Sequence, residues 1–78
     1  MIIHKNLFYF LRNIYLKDLE FVPITECDLK QLFKNNEYYK LKDFCLNNVL
    51  IHIDYHKINL TTFGIEFLKI LDKLKTFD

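Results

Sequence analysis

The residues of this chain that could bind a metal ion or act as a nucleophile and a base are its cysteines and histidines. Cys27, Cys45, His52 and His56 suggest a zinc site, because thiolate and imidazole are ligands that zinc prefers. Structural zinc sites usually draw their ligands from close pairs such as Cys-x2-Cys, but these cysteines lie far apart, on different predicted helices. His52 is predicted to face outward from a strand while the cysteines face inward. We therefore expect no metal ion and no other cofactor.

Enzymatic chemistry has little support in the sequence. The chain contains no serine, and its one glycine, Gly64, lies near the start of a predicted helix. A nucleophile elbow and a phosphate-cradling loop both need glycines in a turn, so neither motif is present. Cys–His catalysis would need an exposed cysteine beside a histidine, whereas both cysteines are predicted to be buried, as free thiols in a reducing compartment or, as the less favoured alternative, in a structural disulfide. The sequence predicts a protein that is not an enzyme.

The composition is rich in large apolar side chains for a chain of this length. Of the 78 residues 51% are hydrophobic, with eight phenylalanines and five tyrosines. A core of this size has limited room for so many rings. We predict a single domain over residues 1–78, with part of its apolar surface meeting a second subunit.

The charge balance limits the kinds of partner. The net charge is only +1, so no general field attracts the protein to nucleic acid or to an anionic membrane, and any DNA binding must come from a local patch. No apolar run reaches the roughly 18 residues of a membrane-spanning helix, and the first residues lack the pattern of a signal peptide. A cytoplasmic location is therefore expected.

Residues 49–60 contain two short alternations of apolar and polar side chains, which is typical of half-buried strands. If the chain folds back at Tyr55 and His56, one register puts every aliphatic pair on one face and every polar pair on the other. That register pairs Ile53 with Ile58, Ile51 with Leu60, His52 with Asn59, and Asp54 with Lys57. Because Tyr-His is not a favoured pair for a two-residue turn, we expect a looser loop at the tip.

Helical periodicity accounts for most of the remaining chain. It predicts helices over residues 5–19, 26–33 and 37–47 and after Thr62, with an extended segment at 20–24 and a turn at 34–36. Thr25 is predicted to cap the second helix, one of the two threonines after Leu60 to cap the last, and Asn48 to close the third in a left-handed conformation. The residues predicted to be buried on the two central helices are Leu29, Leu32, Phe33, Leu41, Phe44 and Cys45.

A hairpin that ends in Leu60-Thr61-x-x-Gly64-x-x-x-Leu68 and leads into a last helix resembles the wing and C-terminal helix of winged helix-turn-helix DNA-binding domains. The two closely linked helices upstream extend the resemblance to about residues 5–75. It implies an α+β, mainly α fold with a three-helix core, a two-stranded β-hairpin wing and a C-terminal helix. Two features depart from the family pattern: Asn48 replaces a common glycine, and the wing lacks most of the basic residues that often grip DNA.

The resemblance implies that helix 37–47 is a recognition helix that enters the major groove of double-stranded DNA, while wing 49–60 meets the flanking backbone. The implied DNA-binding residues are Tyr39, Lys40, Lys42, Asp43, Asn47, Tyr55, His56, Lys57 and Lys34. A transcriptional regulator is the expected function. Because Glu37 and Asp43 offset the lysines of this helix, a winged-helix adaptor that binds another protein and no DNA is the alternative.

The last helix carries a narrow apolar seam with alternating spacings of four and three, formed by Phe63, Phe67, Ile70, Leu74 and Phe77. The seam either completes the core of one subunit or packs, in its distal half, against the same helix of a second subunit. The first helix also has a wide apolar stripe. We therefore expect a homodimer and no small-molecule ligand, with an interface that contains Leu7, Phe10, Ile14, Ile70, Leu74 and Phe77.

Overall fold

Four helices and three short strands make up residues 5–74, the part of the chain that this computed structural model describes. In chain order they are α1 (Lys5–Leu19), β1 (Ile24–Thr25), α2 (Glu26–Leu32), α3 (Asn35–Asn47), β2 (Ile51–Asp54), β3 (Lys57–Leu60) and α4 (Thr62–Leu74). The strands form one antiparallel sheet in the order β1-β3-β2. The predicted α+β, mainly helical class is confirmed.

The β2–β3 hairpin has the register that the sequence pattern predicts. Ile51 pairs with Leu60 and Ile53 with Ile58. The tip, however, is a two-residue turn and not a looser loop. Tyr55 and His56 have φ angles of 49° and 70°, the positive values that a type I′ turn requires at both central positions. The backbone N–H of Glu26 donates to the His56 carbonyl at 3.0 Å, which holds this unfavourable pair of residues in place.

The segment before α2 forms a third strand that the sequence did not predict. Ile24 and Thr25 pair with β3, opposite Ile58 and Lys57. A strand of two residues is too short to produce a detectable alternation. The prediction that all of residues 20–24 are extended is wrong at Phe21, where φ is 57° and the chain turns after α1.

The predicted threonine caps are present. The Thr25 hydroxyl accepts from the Asp28 N–H at 3.3 Å and the Asp28 carboxylate accepts from the Thr25 N–H at 3.0 Å, so α2 begins with a complete capping box. The Thr61 hydroxyl accepts from the Gly64 N–H at 3.0 Å at the start of α4. Helix α3 begins at Asn35, earlier than predicted, because the connection after α2 takes only Phe33 and Lys34.

The end of α3 corrects the predicted position of its left-handed residue. Asn48 has a φ of −102°, and Val49 adopts the left-handed conformation at 57°. The Leu50 N–H then donates to the Cys45 carbonyl at 2.8 Å and the Val49 N–H to the Leu46 carbonyl at 3.2 Å, which is a Schellman motif. A β-branched residue is therefore at the position where glycine is usual.

Replacing Val49 with glycine should raise the free energy of unfolding by about 1 kcal/mol, because a left-handed conformation costs about that much in a residue with a branched side chain. The Val49 side chain is 56% exposed, so little packing is lost. Urea denaturation measures the change. Asn48→Gly is the matched control and should lower stability, since the Asn48 side chain donates to the Phe44 carbonyl at 2.8 Å. If Asn48→Gly stabilised the protein and Val49→Gly did not, Asn48 and not Val49 would be the residue in the left-handed conformation.

One hydrophobic cluster connects the helices and the sheet. Its buried members are Phe8, Phe10, Leu11, Ile14, Ile24, Leu29, Phe33, Tyr38, Leu41, Cys45, Leu50, Ile51, Ile58, Leu68 and Leu71. Among the predicted core residues, Leu32 and Phe44 are wrong, because they are 58% and 44% exposed. Cys27 is also exposed, because the buried side of α2 is the one that carries Leu29, on the opposite side of the helix.

Two residues that were predicted to meet a second subunit are core residues. Phe10 and Ile14 are 0% and 1% exposed, because the wide apolar stripe of α1 is covered by the sheet, α3 and α4 of the same chain. Leu7 is half-buried, and Phe77 lies outside the described residues. Of the predicted interface residues, Ile70 and Leu74 remain well exposed, at 51% and 48%.

Helix α4 packs very closely against the chain segment that leads into β2. Gly64 is buried, and an ideal Cβ atom built on it would lie 2.0 Å from the Leu50 carbonyl oxygen. Leu68 and Leu71 continue the same buried face. The face of α4 that contacts its own core is therefore centred on these three residues and not on the predicted seam.

Candidate functional site

Helix α3 presents most of its predicted contact residues on one solvent-exposed side. Tyr38, Leu41 and Cys45 turn into the core, so the opposite side of the helix is open. That side carries Tyr39, Lys40, Asp43 and Asn47, which are all exposed. Their spacing of one, three and four residues puts them next to one another on the helix surface.

Lys42 is the predicted contact residue that this face does not include. Its ammonium nitrogen lies 2.9 Å from a carboxylate oxygen of Glu26, and its side chain is only 26% exposed. A lysine in a direct, partly buried ion pair is not a free cation. The prediction that Lys42 belongs to the contact face with Lys40 is therefore corrected.

Glu26, the first residue of α2, connects three elements through one carboxylate. The Tyr38 hydroxyl donates to it at 3.0 Å, in addition to the Lys42 ion pair, and the imidazole Nδ1 of His56 lies 3.4 Å from its second oxygen. The carboxylate is 19% exposed. The start of α2, the middle of α3 and the turn of the hairpin are therefore held side by side.

The electrostatics of this cluster follow from its contacts. The hydrogen bond from Lys42, helped by those from Tyr38 and His56, lowers the pKa of Glu26 from 4.5 to about 2, against the opposing effect of burial. Burial first, and the hydrogen bond to Glu26 second, raise the pKa of the Tyr38 hydroxyl. Glu26 is thus ionised and Tyr38 neutral throughout the physiological pH range.

Sequence reasoning missed the role of Glu26. Its position in the first turn of α2 suits the helix dipole, and this local explanation accounts for an acidic residue there without any further partner. Its partners come from α3 and the hairpin, a contact that no short-range pattern reveals. The only signal was an acidic residue close in sequence to a helix that is rich in lysine and tyrosine.

The hairpin turn lies beside α3 because Glu26 contacts both. Tyr55 is the outermost residue of the tip at 90% exposure, and Lys57 is also exposed. His56 is exposed as well, but its carbonyl and its ring are both engaged by Glu26. Tyr55 and Lys57 are therefore the predicted wing residues that are open to a partner.

Helix α2 and the turn after it add cations to the same region. The Lys30 ammonium nitrogen lies 5.4 Å from the centre of the Tyr39 ring and 5.7 Å from that of Tyr38, within the range of a cation–π contact. Lys34 is exposed immediately before α3. Lys30 and Lys34 thus supplement Lys40, and they offset the acidic residues of α3.

The thiols and imidazoles do not form a cluster. Within residues 5–74, no three His, Cys, Asp or Glu side chains are close enough together to hold a metal ion. Cys27 and Cys45 are free thiols in the structure, and burial raises the pKa of Cys45 to about 12, which keeps it protonated and unreactive.

Comparisons with protein-family models, with curated proteins and with solved structures find no match to this chain. In the described part of the chain, no helix has the length and apolar character that crossing a membrane would require. A function must therefore be argued from the surface formed by α3, the end of α2 and the hairpin turn.

Proposed function

We propose that the protein is a small winged helix-turn-helix transcriptional regulator that binds double-stranded DNA. The observation that carries the proposal is the exposed face of α3. This helix follows α2 after only two residues, and the turn of the β-hairpin lies beside it. The element order α1-β1-α2-α3-β2-β3-α4, with β1 paired to β3, supports the winged-helix assignment. The proposal includes a cytoplasmic location, because the proposed partner is DNA.

In the proposed complex, α3 enters the major groove with its exposed face toward the bases. Asn47 suits bidentate pairing with adenine, and Lys40 suits a guanine edge or a phosphate. Tyr39 is held by the Lys30 ammonium and can donate to a phosphate or lie against a thymine methyl group. The Asp43 carboxylate would repel a phosphate, so at this position of α3 a contact with the edge of a base is favoured.

The hairpin and the turn before α3 supply contacts to the DNA backbone. Lys57 and Tyr55 lie at the wing tip, and Lys34 precedes the first turn of α3. Glu26 has a positioning role, because it fixes the distance between the wing and α3 and keeps Lys42 away from phosphate. Few phosphates are contacted in this arrangement. A plot of log binding constant against log salt concentration should therefore have a slope of only about −3 to −4.

Lys40→Ala tests the proposal directly. Its affinity for mixed-sequence duplex DNA should fall by about fivefold, and the slope of log affinity against log salt should become shallower by about one. Fluorescence anisotropy at two salt concentrations measures both quantities. Lys69→Ala on α4, whose side chain is 61% exposed, is the matched control and should bind as the parent does. Equal losses in the two variants would show that α3 is not the binding face.

The competing function is a protein-binding adaptor. The near neutrality of α3 and the exposure of Tyr39 and Tyr55, at 47% and 90%, favour it. An aromatic docking surface is almost insensitive to salt, whereas phosphate contacts weaken steeply as salt rises. Weak binding to duplex DNA that is unchanged between low and moderate salt would reject the regulator and favour the adaptor.

A further inference from the structure

Helix α4 has a second apolar face that its own subunit covers only in part. The α4 seam, defined here as Phe63, Phe67, Ile70 and Leu74, is exposed along most of its length: Phe63 is 69% and Ile70 51% exposed. Gly64, Leu68 and Leu71, which provide the contact with the core, lie on a neighbouring face. Phe67 is half-buried against the core, but folding of one chain gives no reason for the apolar character of Phe63 and Ile70.

The seam borders a shallow groove between α4 and the end of α3. Phe44, Leu50, Phe63, Phe67 and Ile70 line most of this space of about 330 Å³. Phe44 is itself 44% exposed, so the apolar surface continues from α4 onto α3. A side chain from a second helix laid along the seam can enter this groove.

The charged residues beside the seam determine what kind of helix fits. Glu66 and Lys73 flank it on the side away from the core, two helical turns apart. Both are exposed, and Glu66 has only a weak contact with Lys69 at 4.0 Å, within its own helix. One end of this flank is therefore negative and the other positive.

We propose that two copies of the chain associate through antiparallel packing of their α4 seams. A two-fold axis between Phe67 and Ile70 brings Phe67 against the partner's Ile70 and Phe63 against the partner's Leu74. The same axis brings each Glu66 close to the partner's Lys73, so the interface contains two opposite-charge pairs. In a parallel arrangement the charged flank of each helix would instead face the core-side flank of its partner, so Glu66 and Lys73 would form no pair across the interface.

The exposed apolar area supplies the larger part of what a small dimer interface needs. The four most exposed side chains of the surface, Phe44, Phe63, Ile70 and Leu74, together expose on the order of 400 Å² if each fully exposed side chain counts for about 200 Å². Two copies would remove about 800 Å² of apolar surface from water before the polar rim is counted, and specific interfaces bury about 1,200–2,000 Å² in total. The association does not depend on DNA.

A charge exchange tests both the partner and the orientation. Glu66→Lys and Lys73→Glu, each alone, place like charges across the interface and should weaken self-association by about tenfold to a hundredfold. A mixture of the two single variants restores both opposite-charge pairs, so it should form a mixed dimer. Sedimentation equilibrium without DNA measures the masses against 9.6 kDa for one chain. A monomeric parent from micromolar to millimolar concentration overturns the proposal.

The apolar contact has its own control. Ile70→Glu should abolish the dimer, while Leu32→Glu on α2, a position that is 58% exposed and outside the surface, should leave it intact. A parent dimer that survives Ile70→Glu overturns the seam as the interface. Loss of the dimer in Ile70→Glu, with no effect of either charge variant and no mixed dimer, overturns the antiparallel orientation. DNA titration of the same variants is a separate measurement, so a failure of either proposal is recognised independently.

Discussion

Replacing Gly64 with alanine should destabilise the protein by about 3 kcal/mol, at the upper end of what an overpacked core usually costs. In an ordinary helix the same change stabilises, because alanine restricts the unfolded chain and favours the helix. Here the added methyl group would lie 2.0 Å from the Leu50 carbonyl oxygen, and a backbone atom cannot rotate away as a side chain can. Helix α4 would have to move off the core and expose Leu68 and Leu71.

Urea denaturation monitored by circular dichroism measures this loss. Thr62→Ala, at the exposed first position of α4, is the control and should change the free energy of unfolding by less than about 0.5 kcal/mol. A Gly64→Ala protein as stable as the parent would mean that α4 does not approach the start of β2 so closely. The association of the two seams would then need to be reconsidered too, since it depends on the orientation of α4.

Replacing Glu26 with glutamine should lower the free energy of unfolding by about 2 kcal/mol at neutral pH. The lowering of its pKa from 4.5 to about 2 corresponds to about 3 kcal/mol, which partial exposure to solvent reduces. Glutamine keeps the shape and can still accept from Tyr38, but it leaves the Lys42 ammonium without its counter-ion. The loss should therefore come mainly from the charge.

The pH dependence of stability distinguishes this explanation from a simple packing defect. Because the folded-state pKa of Glu26 is lowered, its contribution is fully present above pH 4.5 and is lost as the pH falls from 4.5 towards 2. The difference between the parent and Glu26→Gln should therefore shrink through that window. Glu20→Gln, an exposed position after α1, is the control. A difference that stays constant down to pH 2 would refute the charge explanation.

The hairpin shows what the sequence could predict. Its register follows from the alternation of side chains, because a shift by one residue would turn every aliphatic residue to the wrong face. The helix caps at Thr25 and Thr61 could also be predicted from the sequence, because a cap involves only neighbouring residues. The position of the hairpin turn was predicted, but its tight two-residue form was not, because the positive φ angles of Tyr55 and His56 are maintained by β1 and by Glu26, which are distant in sequence.

Which side chains of α3 and α4 are exposed could be predicted only in part, for the same reason. The exposed side of α3 follows from helical periodicity, but whether Lys42 is free depends on a contact with α2. On α4, periodicity identifies the seam and cannot decide which apolar face meets the core. A single glycine decides this, because only Gly64 allows the helix to approach Leu50 so closely.

The attachment of the hairpin turn to the start of α2 bears on the thermodynamics of recognition. A long wing is usually mobile and loses conformational entropy when it settles on a ligand, which reduces the net affinity. Here strands of four residues, a backbone hydrogen bond to His56 and the Glu26 carboxylate hold the turn before any partner arrives. In the DNA complex proposed above, docking of such a preorganised tip would lose little conformational entropy, so a few contacts would be enough for useful affinity.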